Sequence, residues 1–151
     1  LTSQQLIGQY IKKGVLMEIR NISKLLYQLK LVNQEMVTTF EKKTGFSITR
    51  YEILMFLQEH ESCTQTDLQN ALHIDRAAIT RHLKILEEKN YISRQRNTQN
   101  NREVSVKMTD LAKTQLHNCE KRQSNTAENL KIKLNVTERE QLITLLTKLI
   151  Q

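Results

Sequence analysis

No proline interrupts this chain of 151 residues, and only three glycines occur in it. A chain so poor in both, and rich in Leu, Ile, Lys, Glu and Gln, is expected to be mostly helical. Its two cysteines, Cys63 and Cys119, are too few for a disulfide framework, so reduced thiols are the expected state. No apolar run approaches the length of a bilayer span, and no signal-like start is visible. The expectation is therefore a soluble protein of the cytoplasm. The four histidines (His60, His73, His82 and His117) share no metal-ligand spacing on one helix face, which leaves no metal or cofactor to expect. A nucleophile elbow and a phosphate loop are missing too, and His and carboxylate pair at helical spacing no more than chance gives, so an enzyme is not expected. There is no internal repeat and no low-complexity linker.

What the chain does have is concentrated between Thr64 and Met108. Thr64 starts a short helix, with Asp67 placed to complete a capping box and Leu68, Ala71 and Leu72 forming its apolar side. His73-Ile74-Asp75 is a tight turn, and the Asp75 carboxylate suits an N-cap. In the helix that follows, Ile79, Leu83 and Leu86 recur at i, i+4 and i+7 and make one buried stripe. Arg76, Ala77, Thr80, Arg81 and Lys84 occupy the opposite side. After Asn90 the period changes to that of strands. Tyr91 to Arg96 and Glu103 to Met108 read as a hairpin, with Val104, Val106 and Met108 on one face and a polar loop at residues 97–102. Two short helices joined by a tight turn and followed by a hairpin form a winged helix-turn-helix.

The charge balance agrees. The formal net charge is +7, and residues 73–107 alone carry eight Arg or Lys against four acids. Less than a quarter of the chain thus holds more than half of the excess, as an electrostatic footprint for a phosphate backbone would.

On either side of this unit the pattern is helical and apolar. Ser3 to Lys43 reads as helix, with a break expected near Gly14. Its apolar face runs from Leu6, Ile7, Tyr10 and Ile11 through Ile22, Leu25, Leu26 and Leu29 to Met36 and Phe40. A helix this long cannot bury so wide a face on a domain this small, which points to a partner subunit. Gly45 fits a helix C-terminus and Ser47 the next N-cap, with Phe46 and Tyr51 placed as a hydrophobic staple. A helix from Ile48 to Glu61 is then expected to pack Tyr51, Leu54, Met55 and Leu57 beneath the helix-turn-helix. Beyond the hairpin, Thr109 is placed to cap a helix running through Leu111, Leu116 and Cys119 toward Leu130. Thr137 with Glu140 reads as a further capping box, and Leu142, Leu145, Leu146 and Leu149 as the stripe of a last helix.

Ile79-Thr80-Arg81, Leu83, Leu86-Glu87, Tyr91-Ile92, Arg94 and the run Arg102-Glu103-Val104-Ser105-Val106-Lys107-Met108-Thr109 together resemble the MarR family of winged-helix transcription regulators, and the likeness extends in outline along the whole chain. Where that family usually shows Asp-Arg-Arg at the wing, this chain has Asn100-Asn101-Arg102. Where it favours glycine, this chain has His73, Asn90 and Ala112. The fold to expect is mostly α with a small β wing (α+β): dimerisation helices at 1–46, a winged helix-turn-helix at 47–108 and dimerisation helices again at 109–151. The resemblance implies a homodimeric regulator, a ligand-responsive repressor that reads a palindromic operator in double-stranded DNA with its two recognition helices about 34–36 Å apart. Arg76, Thr80 and Arg81 are then the major-groove residues, with Ala77 and Ala78 small enough for close approach to a thymine methyl. His82, Lys84, Thr64 and Thr66 are placed near phosphates. Arg94, Arg96 and Arg102 belong to the wing, and the resemblance sends Arg102 into the minor groove.

A small-molecule effector would act from a crevice around Leu29, Met36, Phe40, Tyr51 and Met55 by changing the spacing of the two reading heads. Two alternatives stay open. One is a thiol-based redox-sensing regulator using Cys63, whose place before a helix start would favour a thiolate. The other is a winged-helix protein-interaction module that does not bind DNA.

Overall fold

The structure, a computed structural model, describes residues 3–100, 103–122, 128 and 130–150. It divides into two compact units, residues 1–39 and 40–151. Helix α1 (Ser3–Thr44) supplies all of the first unit described here and enters the second with its last turns. The break expected near Gly14 is not there. One glycine costs a helix about 1 kcal/mol relative to alanine, a local weakness that the turns on both sides override. The apolar residues of α1 are left uncovered by their own chain: Ile11, Leu16 and Leu26 are 61%, 67% and 58% exposed. Among the described residues no helix is long and apolar enough to cross a membrane.

The second unit begins with a reversal. Gly45, at φ 78°, takes the left-handed conformation that ends α1, and its N–H donates to Glu41 O at 2.9 Å. Ser47 caps α2 (Ile48–Glu59) by accepting from Arg50 N, and Phe46 closes on Tyr51 with ring centroids 6.1 Å apart, so the staple forms. Within α2 the fully buried residues are Ile53, Leu54 and Leu57, while Tyr51 and Met55 are only half-buried. Strand β1 (Cys63–Thr64), helix α3 (Gln65–Leu72) and helix α4 (Arg76–Glu88) follow. The expected capping box is present: Thr64 Oγ1 accepts from Asp67 N at 3.1 Å, and Asp67 Oδ2 accepts from Thr64 N at 2.8 Å. His73, at φ 51°, takes the left-handed position between the helices, and Asp75 Oδ1 accepts from Ala78 N at 2.9 Å to start α4.

Ile79, Leu83 and Leu86 of α4 are 0%, 0% and 1% exposed, and Leu68 of α3 is 0%. Ala71, expected beside Leu68, is exposed instead. At about 100° per residue, Leu68 and Leu72 set the inward direction of α3 and leave Ala71 roughly 80° off it.

Asn90, at φ 58°, turns the chain into β2 (Ile92–Arg96), which pairs antiparallel with β3 (Val104–Met108) through Ile92↔Met108, Arg94↔Val106 and Arg96↔Val104. The sheet has a third member that local patterning did not reveal. β1 pairs with the other edge of β3 through Cys63↔Val106 and Thr64↔Ser105, giving the order β1-β3-β2. Thr109 Oγ1 donates to Asn90 O at 2.7 Å and accepts from Ala112 N at 3.2 Å, tying the end of the hairpin to α5 (Asp110–Arg122). Ala112 and Leu116 join the core, whereas Leu111 faces outward. Of the helix expected to run on toward Leu130, residues 123–127 and 129 lie outside the described residues.

Helix α6 (Val136–Thr147) starts earlier than expected. Its cap is Asn135, whose side chain accepts from Glu138 N at 2.9 Å while Glu138 Oε2 accepts from Asn135 N at 2.8 Å. The Thr137–Glu140 pairing is therefore a correction: asparagine caps at least as well as threonine, and helix begins as soon as a good cap allows it. Leu142, Leu145 and Leu149 are 39%, 59% and 58% exposed, so this apolar face too is uncovered within one chain.

Candidate nucleic-acid interface

Burying one stripe of α4 fixes what its other side can present. With Ile79, Leu83 and Leu86 inward, Arg76, Ala77, Thr80, Arg81 and Lys84 all lie exposed, while Ala78 is half-buried on the flank. Neither Arg76 nor Arg81 has a carboxylate partner among the described residues. Lys84 lies 3.9 Å from Glu88 one turn on, a surface pair that holds it loosely. Thr80 is less free than its position suggests. Its hydroxyl donates to Arg76 O at 2.7 Å and accepts from Gln65 Nε2 at 2.8 Å.

His82 differs from its neighbours. It is half-buried beside Arg50 of α2, and its Nδ1 has no hydrogen-bond partner among the described residues. Burial, then the positive charges of Arg50 and Arg81, push its pKa below the ordinary range. That shift favours the neutral ring over the imidazolium.

The N-terminus of α3, Arg76 and the hairpin enclose an open groove of about 670 Å³, lined among others by Thr64, Gln65, Thr66, Arg76, Asn100 and Glu103. Thr66 is exposed there, whereas the Thr64 hydroxyl is engaged with Asp67. On the wing, Arg96 is exposed at the end of β2. Arg94 instead turns back to α4, its Nε 3.2 Å from Glu87 Oε2 and its side chain only 25% exposed. That ion pair fastens the base of the hairpin to the far end of α4. Arg102 lies outside the described residues. At the loop before it, Asn97 Oδ1 accepts from Gln99 N at 3.0 Å and Asn97 N donates to Glu103 O at 2.9 Å.

Of the five residues expected around a crevice, Phe40 and Tyr51 meet edge to face at 5.3 Å. Burial raises the Tyr51 pKa, so its hydroxyl stays protonated. Leu29, Met36 and Met55 are half-buried. The residue that sequence reasoning missed is Gln65. The signal was there, since it sits three residues before Leu68 on the inward side of α3, where a polar side chain needs a partner.

Cys63 corrects an expectation. It is buried on β1, and burial, with the Asp67 charge adding to it, pushes its thiol up to about 11 rather than toward a thiolate. Because the folded pKa lies above the ordinary value of 9.0, this group's contribution is complete below pH 9 and disappears as pH rises through 11. The urea midpoint is expected to fall across that interval, and to fall less in Cys63→Ala. Equal slopes for the two proteins would contradict the burial.

Comparison with known proteins places this geometry. A sequence model of the MarR family matches residues 46–104. An HTH-type transcriptional regulator of Bacillus subtilis (strain 168), YdgJ, is 35% identical over 155 residues, covering 99% of this chain and 94% of the relative. SarZ of Staphylococcus epidermidis, another HTH-type regulator, is 32% identical over half of this chain. Among solved structures, a mutant of Escherichia coli MarR complexed with operator DNA superposes with TM-score 0.72 at 24% identity, over 89% of this chain and 96% of its own. Reduced AbfR bound to DNA gives TM-score 0.75 at 20% identity, over 91% and 96%. These structures share the fold.

Proposed function

The chain belongs to the MarR family, and from that premise we propose that it is a DNA-binding transcription regulator, not an enzyme, working as a homodimer on a palindromic operator. The observation that carries the reading is the outer face of α4. Two arginines without carboxylate partners among the described residues flank Thr80 there, beside a groove that the wing closes on one side. Phosphate neutralisation by the basic residues supplies most of the affinity, and the first turns of α4 supply the selectivity. Arg76 and Arg81 reach base edges, Ala77 and Ala78 allow close approach, and Thr66, Lys84 and Arg96 contact the backbone. Thr64 holds the start of α3 in place, Arg94 steadies the wing and His82 packs the inner edge of α4. Arg102, outside the described residues, is assigned to the minor groove on the family resemblance alone.

Residues 47–108 form the reading head, while 1–46 and 109–151 carry the apolar helices that join two copies. The uncovered faces of α1 and α6 support this division, since a soluble chain does not leave apolar stripes of that length in water. A small-molecule effector near Phe40, Tyr51 and Met55 would release the operator by favouring a different spacing of the heads, the action of a repressor in the cytoplasm.

A gel shift with random duplex at low salt tests the DNA reading. Retention is expected, with Arg81→Ala losing about tenfold in affinity and showing a shallower salt dependence. Absence of retention at low salt would favour the protein-interaction module instead.

A further inference from the structure

We infer that Gln65, at the first position of α3 and outside the recognition helix, is a base-reading residue that selects adenine, and that Thr80 acts as the residue positioning it. This rests on the DNA reading above.

One hydroxyl group, that of Thr80, sets the orientation of Gln65. A threonine oxygen has one hydrogen and two lone pairs. In Thr80 the hydrogen goes to the Arg76 carbonyl at 2.7 Å, the back-bond that threonine makes inside helices. Toward Gln65, 2.8 Å away, this oxygen can therefore only accept. That requirement fixes the carboxamide, because its NH₂ end must face Thr80 and its Oε1 must face away. No partner for Oε1 occurs among the described residues. In this proposal Thr80 holds the N–H trans to Oε1, which leaves the cis N–H and Oε1 side by side. An adjacent donor and acceptor on one planar group match adenine N7 and N6 in the major groove.

Position supports the chemistry. Gln65 lines the same groove as Arg76 and Thr66. It is half-buried, so part of its side-chain freedom is already removed before any duplex arrives. Thr80 keeps one lone pair and its methyl group. It has no hydrogen left to give to a base.

The test uses the full-length protein. Duplexes are selected from a random pool by wild type, and every single-base change in the selected site is then measured by fluorescence anisotropy. Gln65→Ala is expected to lower discrimination at one adenine per half-site by about tenfold while leaving the salt slope unchanged. Gln65→Glu is expected to move the preference there toward cytosine, whose amino group a carboxylate accepts from. Thr80→Val removes the clamp and is expected to blunt discrimination at the same base, with Gln65→Ala/Thr80→Val no worse than Gln65→Ala alone. Thermal melting confirms that each variant is folded, and the altered preference of Gln65→Glu is a gain that loss of folding does not mimic. Unchanged base preferences in Gln65→Ala, or a uniform loss at every sequence with a shallower salt slope, would overturn the inference while leaving the DNA reading standing. A wild-type protein that selects no sequence would overturn both.

Discussion

Glutamate at both Ile22 and Leu26 is expected to turn the proposed dimer into a monomer. The two side chains stand one turn apart on α1, where they share a face, and they are 50% and 58% exposed in the single chain. Full burial of such a side chain is worth about 1.5–3 kcal/mol, so covering the half left exposed here is worth about half of that. Each copy carries both substitutions, so four side chains lose this burial, which costs about 3–6 kcal/mol before any penalty for bringing carboxylates into an apolar contact and raises the dissociation constant by roughly two to four orders of magnitude. Glutamate is a good helix former, so helix content should survive. Sedimentation equilibrium reads the outcome directly. Operator binding should weaken in parallel, because two linked heads bind at an effective concentration that separate heads do not have. A doubly substituted protein that sediments as wild type would show that this face of α1 is not the seam between copies.

The second large effect concerns stability. Leu83→Ala removes a side chain that is 0% exposed, between Ile79 and Leu86 on the inner stripe of α4. A leucine truncated in such a place costs about 2–5 kcal/mol, part transfer energy and part cavity. Set against a total stability of about 5–15 kcal/mol, that moves a urea transition far toward lower denaturant. The control lies on the same helix: Ala77→Ser, on the exposed side, should change stability by no more than about 0.5 kcal/mol. The contrast tests which side of α4 faces in, and so which side is left for a ligand. Similar urea midpoints for the two variants would reverse the assignment of faces.

How much of this was legible beforehand depended on the reach of each interaction. The Thr64–Asp67 box, the Asp75 cap, the Gly45 reversal and the Phe46–Tyr51 staple all join residues a few positions apart, and their residue types announce them. The stripe of Ile79, Leu83 and Leu86 was legible for the same reason, and with it the outer face of arginines. Features set by distant partners were not. Strand β1 is two residues long and exists only because β3 arrives beside it much later in the chain. The Gln65–Thr80 bond joins two helices across a turn, so neither residue alone signals it. Cys63 was misjudged because a position before a helix says nothing about burial, and here burial decides its chemistry. At α6 the error was in choosing between two nearby caps, where Asn135 and Thr137 both had an acid three residues on and only one could start the helix.

The place of β3 in the middle of the sheet has a consequence for how this wing can diverge. Held along both edges, β3 cannot slide by one residue without turning Val106 out of the core and breaking the Cys63 and Arg94 pairings together. The direction in which Arg96 leaves the sheet is thus decided at its base, far from the tip. A longer or shorter loop after Arg96 would then alter the reach of the wing as more or less fishing line alters the cast, without altering the aim of the rod.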